Sequence, residues 1–342
     1  MTQHPRRRRI IAYSAIGLFL LIDAVLITSA LTSTSVDAAA DASSEPAATA
    51  SAFPVPSATP TASPTAAPAV MPLPATRLLS AVSATAAWRA STGTCRAPAS
   101  PELSTDSGSS WTATDATGRS GVTALQSIAA QSESVAEFIG LDEDCAPQFV
   151  KTFVAGDNYS SYPDELDDAW YVDPADRAAV HGPDGLVSAP CDAVVALAAS
   201  PADADSAAVL CADARIFATT DAAASWSAPL TVPGVLILTA TDLGYIALAA
   251  GDSAASSAET DSVACLGLSV VDVSVIDSAA DRVTDPAAET AALSASTTGC
   301  YATDEAPAEL AANIAVASAD DTLWLWIGDL TLRSTDAGQS WL

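Results

Sequence analysis

Three copies of one eight-residue pattern, each closing on tryptophan, constrain this 342-residue chain more than any other feature. They read Ser104-Thr-Asp106-Ser-Gly108-Ser-Ser-Trp111, Thr219-Thr-Asp221-Ala-Ala223-Ala-Ser-Trp226 and Ser334-Thr-Asp336-Ala-Gly338-Gln-Ser-Trp341, with the aspartates evenly 115 residues apart. The chemistry is that of a turn. A short Asp side chain bonds backbone N–H groups one to three residues on, and Gly takes the positive φ that closes a hairpin. Trp then opens the next strand and packs its ring into the sheet. The middle copy has Ala223 where the others have glycine.

The surroundings read as strands. From about residue 77, short apolar runs alternate with Gly, Pro, Asp and Ser breaks. Before the third copy come Ile314–Ser318, Thr322–Ile327 and Leu330–Ser334; before the second come Ala193–Leu197, Ala207–Cys211 and Arg215–Ala218. Three strands, a tight turn and a fourth strand opened by Trp is the layout of a propeller blade. Val235–Gly251 with Ala264–Val275 supplies a blade without the repeat, and Ala124–Val172 one more. Cys95, Cys211 and Trp326 lie ten or eleven residues before their repeat aspartates, which suggests equivalent second-strand positions. Blades of about 40–50 residues would divide the folded part into five or six, with seven as the upper limit. Because Leu342 follows the last Trp by one residue, Thr76–Val82 is a candidate to complete the final blade and close the ring.

The repeat S/T-x-D-x-G-x-x-W resembles the Asp-box, or bacterial neuraminidase repeat, of sialidase-type β-propellers, and the resemblance covers about residues 77–342. It implies an all-β propeller in which Ser104, Asp106, Gly108, Trp111, Asp221, Trp226, Ser334, Asp336, Gly338 and Trp341 are structural and lie away from the ligand face. Sialidases also carry three arginines on the substrate carboxylate, a Tyr/Glu nucleophile pair, an Asp acid/base and an Arg-Ile-Pro signature before the first box. Here Arg77, Arg89 and Arg96 precede that box in the folded part, and none is followed by Ile-Pro. Arg215-Ile-Phe is the nearest string, before the second box. Related Asp-box propellers include photosystem assembly factors. The resemblance thus points to a non-catalytic binding or assembly propeller, with a cell-surface glycoside hydrolase of sialidase type as the alternative.

Four arginines, Arg6 to Arg9, precede a 22-residue apolar run at 10–31. At 1.5 Å per residue this length matches a bilayer crossing, and the arginines would stay in the cytoplasm. The reading is a basic tail (1–9), a transmembrane signal-anchor (10–31), an Ala/Ser/Thr/Pro-rich disordered linker (32–76) and the propeller (77–342) outside a bacterial cell membrane. Cleavage near Ala30 or Ala40 as a signal peptide is the competitor. Asp23 lies within the apolar run, where it either pairs with another helix or is carried protonated.

Residues after 31 hold 40 acids against nine bases, a balance near −31 that repels phosphate backbones and excludes nucleic acid as a natural partner. Six cysteines, Cys95, Cys145, Cys191, Cys211, Cys265 and Cys300, show no C-x-x-C and only two histidines accompany them, so neither a metal nor a cofactor is expected. An even count in an exported chain favours disulfides over free thiols, with sequential pairing the simplest and Cys191–Cys211 the clearest.

No G-x-S-x-G, dinucleotide or P-loop string occurs, and no catalytic residue can be selected among so many carboxylates. The most polar-aromatic stretch gathers Lys151, Tyr159, Tyr162, Trp170 and Tyr171, with His181 in the following turn-rich loop. Aromatics beside amides and hydroxyls suit an envelope protein or glycan ligand, or else form one blade's own core.

Overall fold

The computed structural model describes residues 70–251, 265–276 and 292–342. The expected tail, transmembrane segment and most of the linker lie outside them, and among the described residues no helix is long and apolar enough to cross a membrane.

The described strands pair into six antiparallel sheets, each a meander in chain order, and the fold is an all-β, six-bladed propeller. Blade 1 holds β1 (Arg77–Ala81), β2 (Ala87–Ser91), β3 (Glu102–Ser104) and β4 (Thr112–Ala113); blade 2 holds β5 (Ala124–Ala130), β6 (Ala136–Leu141), β7 (Pro147–Thr152) and β8 (Ser160–Ser161). Blade 3 has β9 (Tyr171–Val172), β10 (Ala179–Gly182) and β11 (Gly185–Ser188). Blade 4 has β12 (Val194–Ala199), β13 (Ala207–Cys211), β14 (Arg215–Thr219) and β15 (Leu230–Thr231). Blade 5 has β16 (Val235–Ala240), β17 (Tyr245–Ala250), β18 (Gly267–Ile276) and β19 (Ala292–Ala302); blade 6 has β20 (Ile314–Ala319), β21 (Thr322–Ile327) and β22 (Leu330–Ser334).

β13 is buried along its whole length, because neighbouring blades cover both faces. That burial is why Ala-Ala-Val-Leu-Cys reads as a continuous apolar run rather than an alternating one. The cores sit between blades: Ile216 and Leu238 join blades 4 and 5, Leu248 and Ile314 join blades 5 and 6, and Trp88 and Phe138 join blades 1 and 2. Three disulfides, Cys95–Cys145, Cys191–Cys211 and Cys265–Cys300, follow the sequential pairing and fit an oxidising, extracytoplasmic environment.

Several expectations need correction. Thr76–Val82 does not complete blade 6; its central residues form β1 and pair with β2. The ring closes instead by side-by-side contact, with Thr76 N–H on Ala312 O at 2.7 Å and Trp324 Nε1–H on Ser83 O at 2.9 Å. Cys95 is not a second-strand residue but lies in the turn after β2, tied to the β6–β7 turn of blade 2. Ala124–Val172 is more than one blade, since Tyr171 and Val172 pair with β10 in blade 3.

The repeat turns have one geometry. The Ser or Thr hydroxyl accepts the N–H of the fourth residue onward, as in Gly108 to Ser104 (2.9 Å), Ala223 to Thr219 (3.0 Å) and Gly338 to Ser334 (2.8 Å). The aspartate reaches farther than expected, taking the N–H four residues on, at Ser110, Ser225 and Ser340. Two successive residues are left-handed in each, including Ala222 (φ 54°) and Ala223 (φ 65°), so the middle copy keeps the turn without glycine. The box tryptophans are half-buried rather than core, and Trp226 precedes its strand by several residues.

A fourth turn of this form was hidden in the sequence. Thr152-Phe-Val154-Ala-Gly156-Asp-Asn158-Tyr159 has Ala155 and Gly156 left-handed, and Gly156 N–H bonds Thr152 Oγ1 at 3.0 Å. Val154 stands where the others have Asp. The hydroxyl-to-amide bond and the left-handed pair therefore define the turn, and the aspartate only adds to it.

Candidate functional site

The inner strands β1, β5, β12, β16 and β20, with the short β9, surround a central channel of about 980 Å³. Its walls are small or aliphatic, as at Ser80, Ala129, Leu197 and Ala317. β9 breaks the symmetry. Trp170 Nε1–H donates to Ala204 O in the turn after β12, whereas Arg177 Nε–H donates to Val194 O at the start of β12, both at 2.7 Å. The chain from 170 to 177 thus climbs against β12, opposite to the direction of a regular inner strand. Blade 3 lacks a full-length innermost strand, so the channel opens sideways between blades 2 and 3 as far as Glu137, Phe149 and Glu165.

Of the residues singled out in the sequence, Trp170 and Tyr171 line this channel, while Lys151, Tyr162 and His181 sit behind the lining against Glu137, Phe149 and Tyr171. Lys151, on β7, sits with its ammonium on Glu137 Oε1 at 2.8 Å and on Glu165, over the rings of Phe149 (5.2 Å) and Tyr162 (5.7 Å). Burial pulls the Lys151 pKa down, but the bonds from Glu137 and Glu165 outweigh it and hold the group above its ordinary value. Tyr171 is 9% exposed, packs with Ile139 and Phe149, and stacks face to face on His181 at 4.7 Å. Burial, with Asp173 and Asp167 adding, raises the Tyr171 hydroxyl pKa. His181 Nδ1 lies 3.1 Å from Ala169 O.

Two of the candidates are mainly core residues, although Trp170 also reaches the channel lining. Tyr159 is only 2% exposed, its hydroxyl 2.6 Å from Thr114 Oγ1, and burial pushes its pKa to about 12 despite that bond. It fills the core between blades 1 and 2 and takes the tryptophan position of the fourth turn, so a ligand cannot reach it. Trp170 packs toward blade 4 with Val180 and Phe217. Sequence reading missed Phe149, whose signal was alternation with Lys151 on β7, and Glu137 on β6 and Glu165 in the one-turn helix Pro163–Leu166, which carry no local signal. It also missed Arg177, whose pKa burial lowers and which has no carboxylate within ion-pair distance among the described residues.

Of the other arginines, Arg77 reaches the channel lining and Arg89 does not. Arg89 lies between the rings of Trp111 (4.1 Å) and Trp326 (4.7 Å) and pairs with Glu102 at 2.5 Å. Arg77 covers Trp326 at 4.6 Å and donates to Gly328 O. Both belong to the joint between blades 6 and 1. Among the described residues no three His, Cys, Asp or Glu side chains gather in a way that could hold a metal ion.

No family model and no curated protein matches the chain. Among solved structures it is similar to YCF48 from Cyanidioschyzon merolae, with 14% identity, 80% of this chain and 86% of that one covered, and a TM-score of 0.37. It is also similar to the GH74 enzyme of Niastella koreensis, with 15% identity, coverage of 75% and 47%, and a TM-score of 0.28. A third is PorZ, a surface component of the type-IX secretion system of Porphyromonas gingivalis, with 12% identity, coverage of 80% and 38%, and a TM-score of 0.34. The chain spans less than half of the last two proteins. At these identities and scores the likenesses say nothing about function, and the six-bladed ring rests on strand pairing.

Proposed function

We propose that this chain is a non-catalytic binding or assembly propeller, tethered to the bacterial membrane by residues 10–31 and displayed outside the cell on the linker. The observation that carries the binding half is the side-opening channel, whose small and aliphatic walls lead between blades 2 and 3 to the rings of Phe149 and Tyr171 beside the carboxylates of Glu137 and Glu165. Such a surface suits an envelope protein or a wall glycan. The Asp-box resemblance supports a scaffold role for the repeats. The arginine geometry favours binding over sialidase-type hydrolysis, because Arg77 and Arg89 are spent on Trp326 and Trp111 at the ring joint.

The test is capture of envelope proteins and wall glycans by the immobilised full-length protein, compared with an Ala129→Trp variant. Ala129 is an exposed channel residue, so tryptophan there fills the channel without disturbing the core. Loss of the captured ligand at unchanged melting temperature is expected. Undiminished capture by Ala129→Trp would remove the channel as the site, and release of fluorophore from a sialoside or another glycoside would overturn the non-catalytic reading. Protease added to spheroplasts should leave a small N-terminal fragment in the membrane; a full ectodomain in the medium would count against the anchor.

A further inference from the structure

Blades 1, 2 and 4 end in outer strands of two residues, β4, β8 and β15, whereas blade 5 ends in β19, which is eleven residues long. β18 and β19 also outrun their blade. The pairing of β17 with β18 stops at Tyr245 and Val273, while β18 and β19 continue together to Ile276 and Ala292. Blade 6 covers only one end of the outer edge of β19: Cys300 N–H donates to Gly338 O at 2.9 Å, and Gly299 lies against the Gly338 backbone. From Ala292 to Thr298, among the described residues, no backbone hydrogen bond is made other than to β18. Ser294, Ala295, Ser296 and Thr297 are all exposed.

Native proteins blunt a free sheet edge by making it short, by charging it or by placing proline on it. β19, Ala-Leu-Ser-Ala-Ser-Thr-Thr-Gly-Cys-Tyr-Ala, has none of these devices, and its one bulge, at Thr298, lies toward the end covered by blade 6. We propose that the outer edge of β19, residues 292–298, takes an extended peptide segment of another protein as an added antiparallel strand, with basic residues flanking that segment. This rests on the binding reading above and names a second surface for it. Backbone pairing supplies affinity at such an edge, and alternate side chains supply selectivity. Charge decides the occupant. The edge itself is neutral, but Asp272 lies on the neighbouring strand and Asp304 and Glu305 follow β19, in a chain with 40 acids against nine bases after residue 31. A second copy would bring like charges together, whereas a basic-flanked strand is attracted.

The probe is a fluorescent synthetic peptide with a Thr-Val-Thr-Val-Thr core between Lys-Lys ends, titrated into the full-length protein. Saturating peptide should slow amide hydrogen exchange in 292–298, and Glu-Glu ends should weaken binding by about tenfold or more. Ser294→Pro and Ala295→Pro provide an internal control, because N–H groups of adjacent strand residues point to opposite sides. The variant whose N–H faces outward keeps the wild-type melting temperature and loses about tenfold in peptide affinity; its neighbour loses stability instead. Unprotected β19 amides, equal affinity for the Glu-ended peptide, or a dimer abolished by the same outward proline would overturn the proposal. Capture of an envelope ligand undiminished by the outward proline would remove the edge while leaving the binding reading intact.

Discussion

Blades 4 and 5 and blades 6 and 1 solve the same packing problem with different chemistry. The first pair meets through an aliphatic cluster, with Ile216, Leu238, Ala247 and Val271 buried against one another. The second meets through directional groups: Trp324 Nε1–H on Ser83 O, Arg333 on Ala84 O, Arg77 on Gly328 O, and Arg89 stacked between two tryptophans. Blades 4 and 5 are consecutive in the chain, so a short connection already holds them in register. Blades 6 and 1 lie at opposite ends of the folded part, and Trp324 and Ser83 are 241 residues apart. Apolar contact alone tolerates sliding there, and hydrogen bonds to fixed carbonyls do not.

The largest expected effect is at this joint. Trp324 is fully buried, so Trp324→Ala should cost about 3–5 kcal/mol in chemical denaturation. Trp324→Phe keeps a ring but leaves Ser83 O without its donor and should cost about 1–3 kcal/mol. If Phe proves neutral, packing rather than direction closes the ring and the contrast between the joints fails.

The repeat turns also join blades, because each inserts its fourth residue after the Ser or Thr into the preceding blade. Gly108 lies against Trp324 and Thr331 of blade 6, Gly156 against Thr114 of blade 1, and Gly338 against Val270 of blade 5. A Cβ on Gly338 would lie 2.5 Å from Val270 Cγ2 at φ 87°, so Gly338→Ala should destabilise by about 2 kcal/mol or more. Ala223 already carries its Cβ into the contact with Trp170 and Val180. Ala223→Gly relieves the left-handed strain but removes a buried methyl and loosens the unfolded chain, so thermal melts should change by less than about 0.5 kcal/mol. A large loss there would mean that the blade 3–4 joint depends on that methyl.

Between blades 2 and 3, Lys151 holds β6 and the one-turn helix Pro163–Leu166 through Glu137 and Glu165. Lys151→Met keeps the stem and deletes the charge, and should cost about 1–2 kcal/mol while sharpening the pH dependence as the two carboxylates repel. The smallest effect concerns acid. Bonds from the Ser340 hydroxyl and amide and the Ser334 hydroxyl lower the Asp336 pKa from the ordinary carboxylate range to about 2. A lowered folded pKa stabilises above the unfolded value, and that contribution is lost as pH falls from about 4 toward 2. Asp336→Asn should therefore flatten part of the acid limb of a stability–pH curve; an unchanged slope would show that the carboxylate is not what the turn uses.

Much of the ring was legible because its signals are local. The S/T-x-D-x-G-x-x-W turn depends on side chains within eight residues of one another, and the blade runs around it depend on alternation. The fourth turn escaped notice because Val154 and Tyr159 replace Asp and Trp, although the Thr152 to Gly156 spacing was present. Lys151, Tyr162, Tyr171 and His181 were legible as a group, but not that Tyr171 alone of the four lines the channel with the others packed behind it, since that arrangement requires blade 3 to lack a regular inner strand.

By itself the sequence determined the turns, the strand order within most blades and the acidic character, since each depends on short spacing or composition; it offered sequential disulfide pairing only as the simplest of several. Only the tertiary structure decided how the ring closes, that β9 climbs against β12, that Tyr159 is core, and that among the described residues the 292–298 edge of β19 pairs with no other strand. Those features depend on which residues from distant blades share space, and pairwise contact across a ring carries no periodic signature along the chain.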